Sequence, residues 1–282
     1  MPQATAQDIT FKGLPAIALT TPGGAEAIIL LHGAHLVSWK PAGGSERLYL
    51  SDKAVFEDGS AIRGGVPICF PQFGKTGPLP QHGFVRNTSW NKVLARGGDD
   101  FAMAVLRITD SPATRAIWPH AFAAEFSVSI TGSRIDMELD VENTGDASLS
   151  FTAALHTYMN VKEAEEVQLE GLRGQKYRDL LTGTEHTETG TFVSIERETT
   201  RLYKETANPL LLREDKQALG INAENMPDTV VWNPWEQTCA TIADLPANGF
   251  RRFLCVEAGA IEQPVTLEPQ QSWWGRQSLV AM

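Results

Sequence analysis

Four residues in this sequence are of types that move protons or hold an anion, and each sits in a pattern that asks for a reason. His156 lies in SFTAALHTYMN. Leu149, Phe151, Ala153 and Leu155 alternate as the apolar face of a strand, so His156 falls on the opposite face with Ser150, Thr152 and Ala154. That small, polar face suits either the floor of an open cleft or an ordinary exposed sheet surface. Glu257 follows the apolar run 253–256 and precedes Ala-Gly-Ala. A carboxylate ending a buried strand is costly without partners, and burial raises its pKa toward the range of a general base. A glutamate that swings out into solvent would give the same pattern. Arg63 opens RGGVPICFPQFG and Arg86 lies in QHGFVRN, both on apolar, irregular, Gly- and Pro-containing segments. Guanidinium forks suit phosphate oxygens, and the glycines after Arg63 let backbone approach a ligand closely. Ion pairing with the carboxylates of an acidic protein is the structural reading of the same two residues.

Other candidates carry less. His82, in LPQHGF, can donate to a sugar hydroxyl or simply cap a turn. His32 and His35 in LLHGAH, taken with His82 and His156, raise the question of a metal. Their spacing matches no familiar ligand set, and a turn after a core strand explains them better, so no metal is expected. Cys69 reads as a small buried hydrophobe. Trp232, Trp235, Trp273 and Trp274 offer faces for sugar stacking, although most tryptophans are core. Gly-x-x-x-x-Gly-Lys-[Ser/Thr], Gly-x-Gly-x-x-Gly and Gly-x-Ser-x-Gly are all missing from the sequence, so no nucleotide cofactor and no serine hydrolysis is expected.

The elements that must position these residues are strands. The chain has 282 residues, 42% of them hydrophobic and 21% charged, enough to bury a sizeable core. Periodicity two dominates. Phe126, Val128 and Ile130 alternate, TGSR turns the chain, and Ile135, Met137, Leu139 and Val141 alternate again, which predicts a hairpin. Further strands are predicted over 27–31, 37–40, 101–108, 167–170, 230–232 and 252–257. Residues 52–58 are predicted to form one helical turn. Residues 185–224 read as polar, irregular excursions from the sheet. With no linker, charge run or repeat, residues 1–282 are expected to form one all-β domain, a large antiparallel β-sandwich with few short helices.

The formal net charge is −10. Such a surface repels nucleic acid and anionic membrane, and neither is expected as a partner. Three scattered cysteines argue against a disulfide framework. The start MPQATAQDITFKG lacks a basic n-region and an apolar core, and no apolar run approaches the ~20 residues of a membrane span. A cytoplasmic protein is expected, monomeric or a weak homo-oligomer.

RGGVPICFPQFG, LPQHGFVRNTSW, LHTYMNV, VVWNPW and FLCVEAGAI occur in that order between about Arg63 and Gln277. In these five blocks the chain resembles the hexose-6-phosphate 1-epimerases of the aldose 1-epimerase, galactose mutarotase-like superfamily. The resemblance implies a β-sandwich with a sugar cleft on one sheet and a phosphorylated hexose as substrate. It implies that His156 and Glu257 are the catalytic pair. It also implies that Arg63, Gln81 and Arg86 hold the substrate, chiefly its phosphate, with His82 on the sugar side. One departure matters. ETTRLY places Thr200 where the family tends to carry a substrate-binding aspartate, and Asp228 and Asp179 are the carboxylates considered as substitutes. The resulting expectation is interconversion of hexose 6-phosphate anomers. A carbohydrate-binding sandwich without catalysis, and a glycosidase, stand as the alternatives.

Overall fold

The computed structural model describes residues 3–206, 208–215 and 217–282. The predicted hairpin forms from Phe122–Ile130 and Arg134–Asn143, with Ile130 opposite Ile135. Phe126, Val128, Ile130, Ile135, Met137, Leu139 and Val141 are all fully buried, as the alternation requires. On the outer face Glu125 pairs with Arg107 at 2.8 Å.

This hairpin sits within a nine-stranded sheet. Its order runs Phe192–Val193, Gln168–Glu170, Leu210–Glu214, Gln217–Glu224, Ser272–Ala281, Arg134–Asn143, Phe122–Ile130, Ala102–Thr109, Asn91–Gly97. An eight-stranded sheet stacks on it, ordered Glu185–Thr187, Lys176–Asp179, Thr199–Tyr203, Asp228–Asn233, Phe253–Leu267, Leu149–Leu155, Ile68–Cys69, with Tyr158–Asn160 also pairing Phe253–Leu267. Thr5–Phe11, Leu14–Thr20, Glu26–Leu30 and Leu36–Lys40 form a third, four-stranded sheet. The ladders between these strands are antiparallel. Among the described residues no helix is long and apolar enough to cross a membrane.

Phe126 and Leu139 of one large sheet and Phe151, Leu155, Leu254 and Val256 of the other share one apolar core. The eight-stranded sheet is apolar on its outward face as well, where Cys69, Ala154, Leu202 and Val230 cluster with Phe73. A sheet buried on both sides explains why the strand 253–257 reads as a nearly continuous apolar run.

Three expectations fail here. Residues 52–58 form turns and no helix. The helices are Pro112–Ile117, opened by a capping box between Ser111 and Thr114, and Trp235–Thr241. Both are too short to leave a helical stripe. Residues 185–224 are not excursions: they supply strands Glu185–Thr187, Phe192–Val193, Thr199–Tyr203, Leu210–Glu214 and Gln217–Glu224 to the two large sheets. Glu185–Thr187 and Phe192–Val193 are too short for alternation to show.

The segment after Arg63, expected to be irregular from its glycines and prolines, contains a two-residue strand, Ile68–Cys69, paired with Leu155 and Ala154. Phe70 then packs its ring against Trp118, Phe122 and Phe151. The second arginine segment crosses the first at this point. The Phe70 amide donates to the His82 carbonyl at 3.3 Å, and the Phe84 amide donates to the Phe70 carbonyl at 3.1 Å. Only glycine fits the crossing: Gly83 has φ +71°, and a Cβ there would lie 1.9 Å from the Phe70 carbonyl oxygen. Left-handed backbone alone costs another residue about 1–2 kcal/mol. With the clash added, Gly83→Ala is expected to destabilise the protein by more than about 2 kcal/mol. The check is the midpoint of urea unfolding, and an unchanged midpoint would show that the crossing is dispensable.

Candidate active site

The ladder register brings the histidine and the glutamate together. Leu155 lies opposite Ala258, and three residues on Tyr158 lies opposite Cys255. Carried across the gap, that register sets His156 opposite Glu257 and Thr157 opposite Val256. The ladder itself is interrupted there. The His156 amide donates to the Pro67 carbonyl at 3.0 Å, and the Thr157 amide turns back to the Leu155 carbonyl at 3.0 Å. His156 Nε2 lies 3.5 Å from Glu257 Oε1. Both residues are buried, His156 7% exposed and Glu257 1%, so neither the surface histidine nor the solvent-facing glutamate is found. Among the described residues, His156 Nδ1 and Glu257 Oε2 find no hydrogen-bond partner.

This pair forms the floor of a cavity of about 390 Å³, lined also by Arg63, Gln81, His82, Arg86, Thr200 and Trp232, with Phe73, Gly74, Leu180, Val230 and Ile242. The seven residues His156, Glu257, Arg63, Gln81, His82, Arg86 and Thr200, picked out through the family resemblance, therefore line one cavity. Asp228 does not. Its carboxylate accepts the backbone amides of Ile261 and Glu262, each at 2.8 Å, which anchors the adjoining strand. Asp179 is likewise engaged, accepting the amides of Leu181 and Thr182 in its own turn. Neither supplies the carboxylate that Thr200 lacks.

Burial governs the protonation of the pair. Desolvation holds the Glu257 carboxyl well above its ordinary pKa of 4.5. Desolvation also pushes His156 well below 6.5, helped by His82 and the positive charges of Arg86 and Arg63. His82 is lowered to about 3, again by burial first and then by the two arginines. Its Nδ1 accepts the Gly74 amide at 3.3 Å, which fixes the proton of the neutral ring on Nε2. His32 and His35 stand apart from the pair, their Nε2 atoms bonded at 2.7 Å to the carbonyls of Ser60 and Gly64.

The two arginines differ. Arg63 is pre-oriented: Nε donates to Asp244 Oδ1 at 3.1 Å and an NH1 hydrogen to the Tyr158 hydroxyl at 3.0 Å. Arg86 donates to the Gln81 carbonyl at 3.0 Å, and among the described residues no carboxylate lies within ion-pair distance of it. Arg63 thus pairs with a carboxylate and also lines the cavity, while Arg86 has no carboxylate partner among the described residues.

Two residues of the site escaped the sequence reading. Tyr158 stacks its ring on His156, with centroids 4.9 Å apart and planes 13° apart. It sits two residues after His156, so the same alternation could have found it. Asp244 follows the helix Trp235–Thr241, and no local pattern ties it to Arg63, 181 positions away.

The chain is similar to known proteins along most of its length. The sequence profile of the family described as Aldose 1-epimerase matches residues 15–279. A relative from Cenchrus ciliaris, provisionally named glucose-6-phosphate 1-epimerase, is 36% identical over 285 residues, 97% of this chain and 86% of the relative. One from Escherichia coli K12 with the same provisional name is 34% identical over 239 residues, covering 82% and 79%. A crystal structure of a Salmonella typhimurium protein provisionally described as a mutarotase superposes with a TM-score of 0.90 at 29% identity, covering 98% of this chain and 93% of that one. With its profile matched almost end to end, this chain belongs to the aldose 1-epimerase family.

Proposed function

We propose that the protein interconverts the α and β anomers of a hexose 6-phosphate, glucose 6-phosphate first among them. The observation that carries this reading is the facing pair of Glu257 and His156 on the floor of a cavity flanked by two arginines. The Glu257 carboxylate takes the proton of the C1 hydroxyl. The freed electron pair forms the C1 carbonyl as the C1–O5 bond breaks, and O5 takes a proton from His156 Nε2. Rotation about C1–C2 presents the other face of the aldehyde, and closure runs the steps backward. A positioned acid and base contribute about 10²–10⁴-fold each.

The proton count balances. Ring opening carries one proton from imidazolium to carboxylate through the substrate. It begins with a charged pair and ends with a neutral pair, total protons unchanged. Burial favours the neutral pair, so the same environment that makes the charged pair costly stabilises the open-chain state. Arg63 and Arg86 receive the phosphate, which a chain of net charge −10 attracts only through a local positive site. Gln81, the His82 Nε2–H and the Thr200 hydroxyl are left for the sugar hydroxyls.

A glycosidase would need a second carboxylate about 5–10 Å from the first. Among the described residues, Glu257 is the one carboxylate lining the cavity. A binding module without catalysis leaves the buried acid–base pair unexplained. NMR of freshly dissolved α-glucose 6-phosphate, run beside an assay for glycoside cleavage, separates the three.

In that NMR assay His156→Ala and Glu257→Gln should each lower kcat by at least about 10²-fold in folded protein. Turnover near wild type in either variant removes that residue from the acid–base role.

Arg86 gives a clean test of phosphate binding, because its loss orphans no carboxylate. Hydrogen bonds to charged groups contribute about 1.5–3 kcal/mol. At about 1.4 kcal/mol per tenfold, Arg86→Ala should lower kcat/KM for glucose 6-phosphate roughly 10–100-fold. Activity on free glucose should barely change, and equal losses on the two sugars would end the phosphate assignment.

Stability should carry the signature of Glu257. Because its folded pKa is raised above 4.5, the folded chain keeps a proton that the unfolded chain releases as pH climbs past that value. Wild-type stability is therefore lost with rising pH across this window. Gln has no proton to release, so Glu257→Gln should melt higher than wild type at neutral pH. The gap should shrink as pH falls toward 4.5. A variant that melts lower at neutral pH would contradict the raised carboxyl.

A further inference from the structure

We propose that Gln277 is a positioning residue for the catalytic pair, resting on the acid–base reading of His156 and Glu257 above. Gln277 belongs to the other large sheet, on strand Ser272–Ala281, and is 1% exposed. Its side chain crosses the core to the break in the ladder. In an unbroken ladder the Thr157 amide would donate to the Val256 carbonyl, answering the 3.1 Å bond from the Val256 amide to the Thr157 carbonyl. The Thr157 amide has turned back to Leu155 instead. Gln277 Nε2 supplies the missing donor to the Val256 carbonyl at 3.0 Å, while Gln277 Oε1 accepts from Thr157 Oγ1 at 2.5 Å. Thr157 is fully buried and Val256 almost so. The outcome is a closed ring of hydrogen bonds through Thr157, Gln277 and Val256. It adds to the one remaining ladder bond between the residue after His156 and the residue before Glu257, where the reciprocal bond is missing.

The chemistry makes this specific. Both ends of an amide are used, one accepting and one donating, and a buried amide is tolerated only when both are satisfied. The rest of the inter-sheet core here is apolar: Val256, Leu254 and Leu279 are buried hydrophobes. A leucine at 277 would fill the space and leave the Val256 carbonyl without its donor. His156 and Glu257 would then hold their 3.5 Å approach with a single backbone bond, from the Val256 amide to the Thr157 carbonyl, across the break.

The test uses Gln277→Leu and Gln277→Glu in the full chain. Misplacement of a catalytic group by about 1 Å costs up to ~10²-fold, so Gln277→Leu should lower kcat roughly 10–100-fold with KM little changed. Gln277→Glu keeps the acceptor for Thr157 but can donate to Val256 only when its carboxyl is protonated. Its kcat relative to wild type should therefore rise as pH falls. In the free protein the His156 ring resonances should move in Gln277→Leu, while those of His186, at the far edge of the sheet, stay in place. A residue that merely braces the two sheets would lower the melting temperature and leave kcat per folded molecule, the pH ratio and the His156 resonances as in wild type. That result overturns the inference, and unmoved His156 resonances alone are enough to do so. If wild-type protein anomerises no sugar phosphate, the proposed function fails by itself, and the resonances still decide the role of Gln277.

Discussion

The site depends on a register held across a gap. Strand Phe253–Leu267 is paired on both sides of the break, to Leu149–Leu155 and then to Tyr158–Asn160, without losing count. That continuity sets an imidazole directly opposite a carboxylate inside the protein. Side chains opposite one another on antiparallel strands have Cβ atoms about 4.5–5.5 Å apart, so the 3.5 Å approach follows from the ladder and not from a flexible loop. A slip of one residue would turn Glu257 into the core between the sheets. The buried apolar neighbours Leu254, Val256 and Ala258 fix the phase against that slip.

Around this pair the charges are arranged in layers. His156 and Glu257 lie deepest, where desolvation favours their uncharged forms. The Tyr158 hydroxyl and Asp244 lie behind Arg63 and use two of its donors, which leaves the others at a set angle. Arg86 reaches the cavity from the second rim segment, with no carboxylate partner among the described residues. The gradient runs from neutral floor to positive rim, and an anionic group on a sugar would sit farthest from the reacting carbon.

How much of this could be read in the sequence depended on the range of the interactions. Period-two alternation revealed the hairpin Phe122–Ile130 with Arg134–Asn143 and set His156 off the core face, because alternation is local. It could not say whether the far face of Leu149–Leu155 was wet or covered. The answer came from Ile68–Cys69, which pairs with that strand from more than eighty residues away. The five ordered blocks carried the family resemblance, and with it the residues that share the cavity. Asp228 misled because an aspartate beside a functional strand looks the same in sequence whether it faces a ligand or caps two amides. Glu185–Thr187 and Phe192–Val193 were hidden by length, since a two- or three-residue strand shows no period. Asp244 and Gln277 were out of reach for a further reason. Each acts on a residue distant in the chain, and nothing in its own neighbourhood records the contact.

The crossing of the two rim segments at Phe70 and Gly83 has a consequence for recognition. Gln81, His82 and Arg86 lie on a segment whose backbone is already bonded to the Ile68–Phe70 stretch and seated on the core by Phe70. Fixing a residue's backbone costs about 1–2 kcal/mol of conformational entropy, and here that cost is met when the chain folds. A ligand entering the cavity has little loop ordering left to drive, so more of its contact energy can appear as affinity. The apolar, glycine-bearing stretch that looks so out of place in an acidic chain is what makes the rim stiff before any sugar arrives.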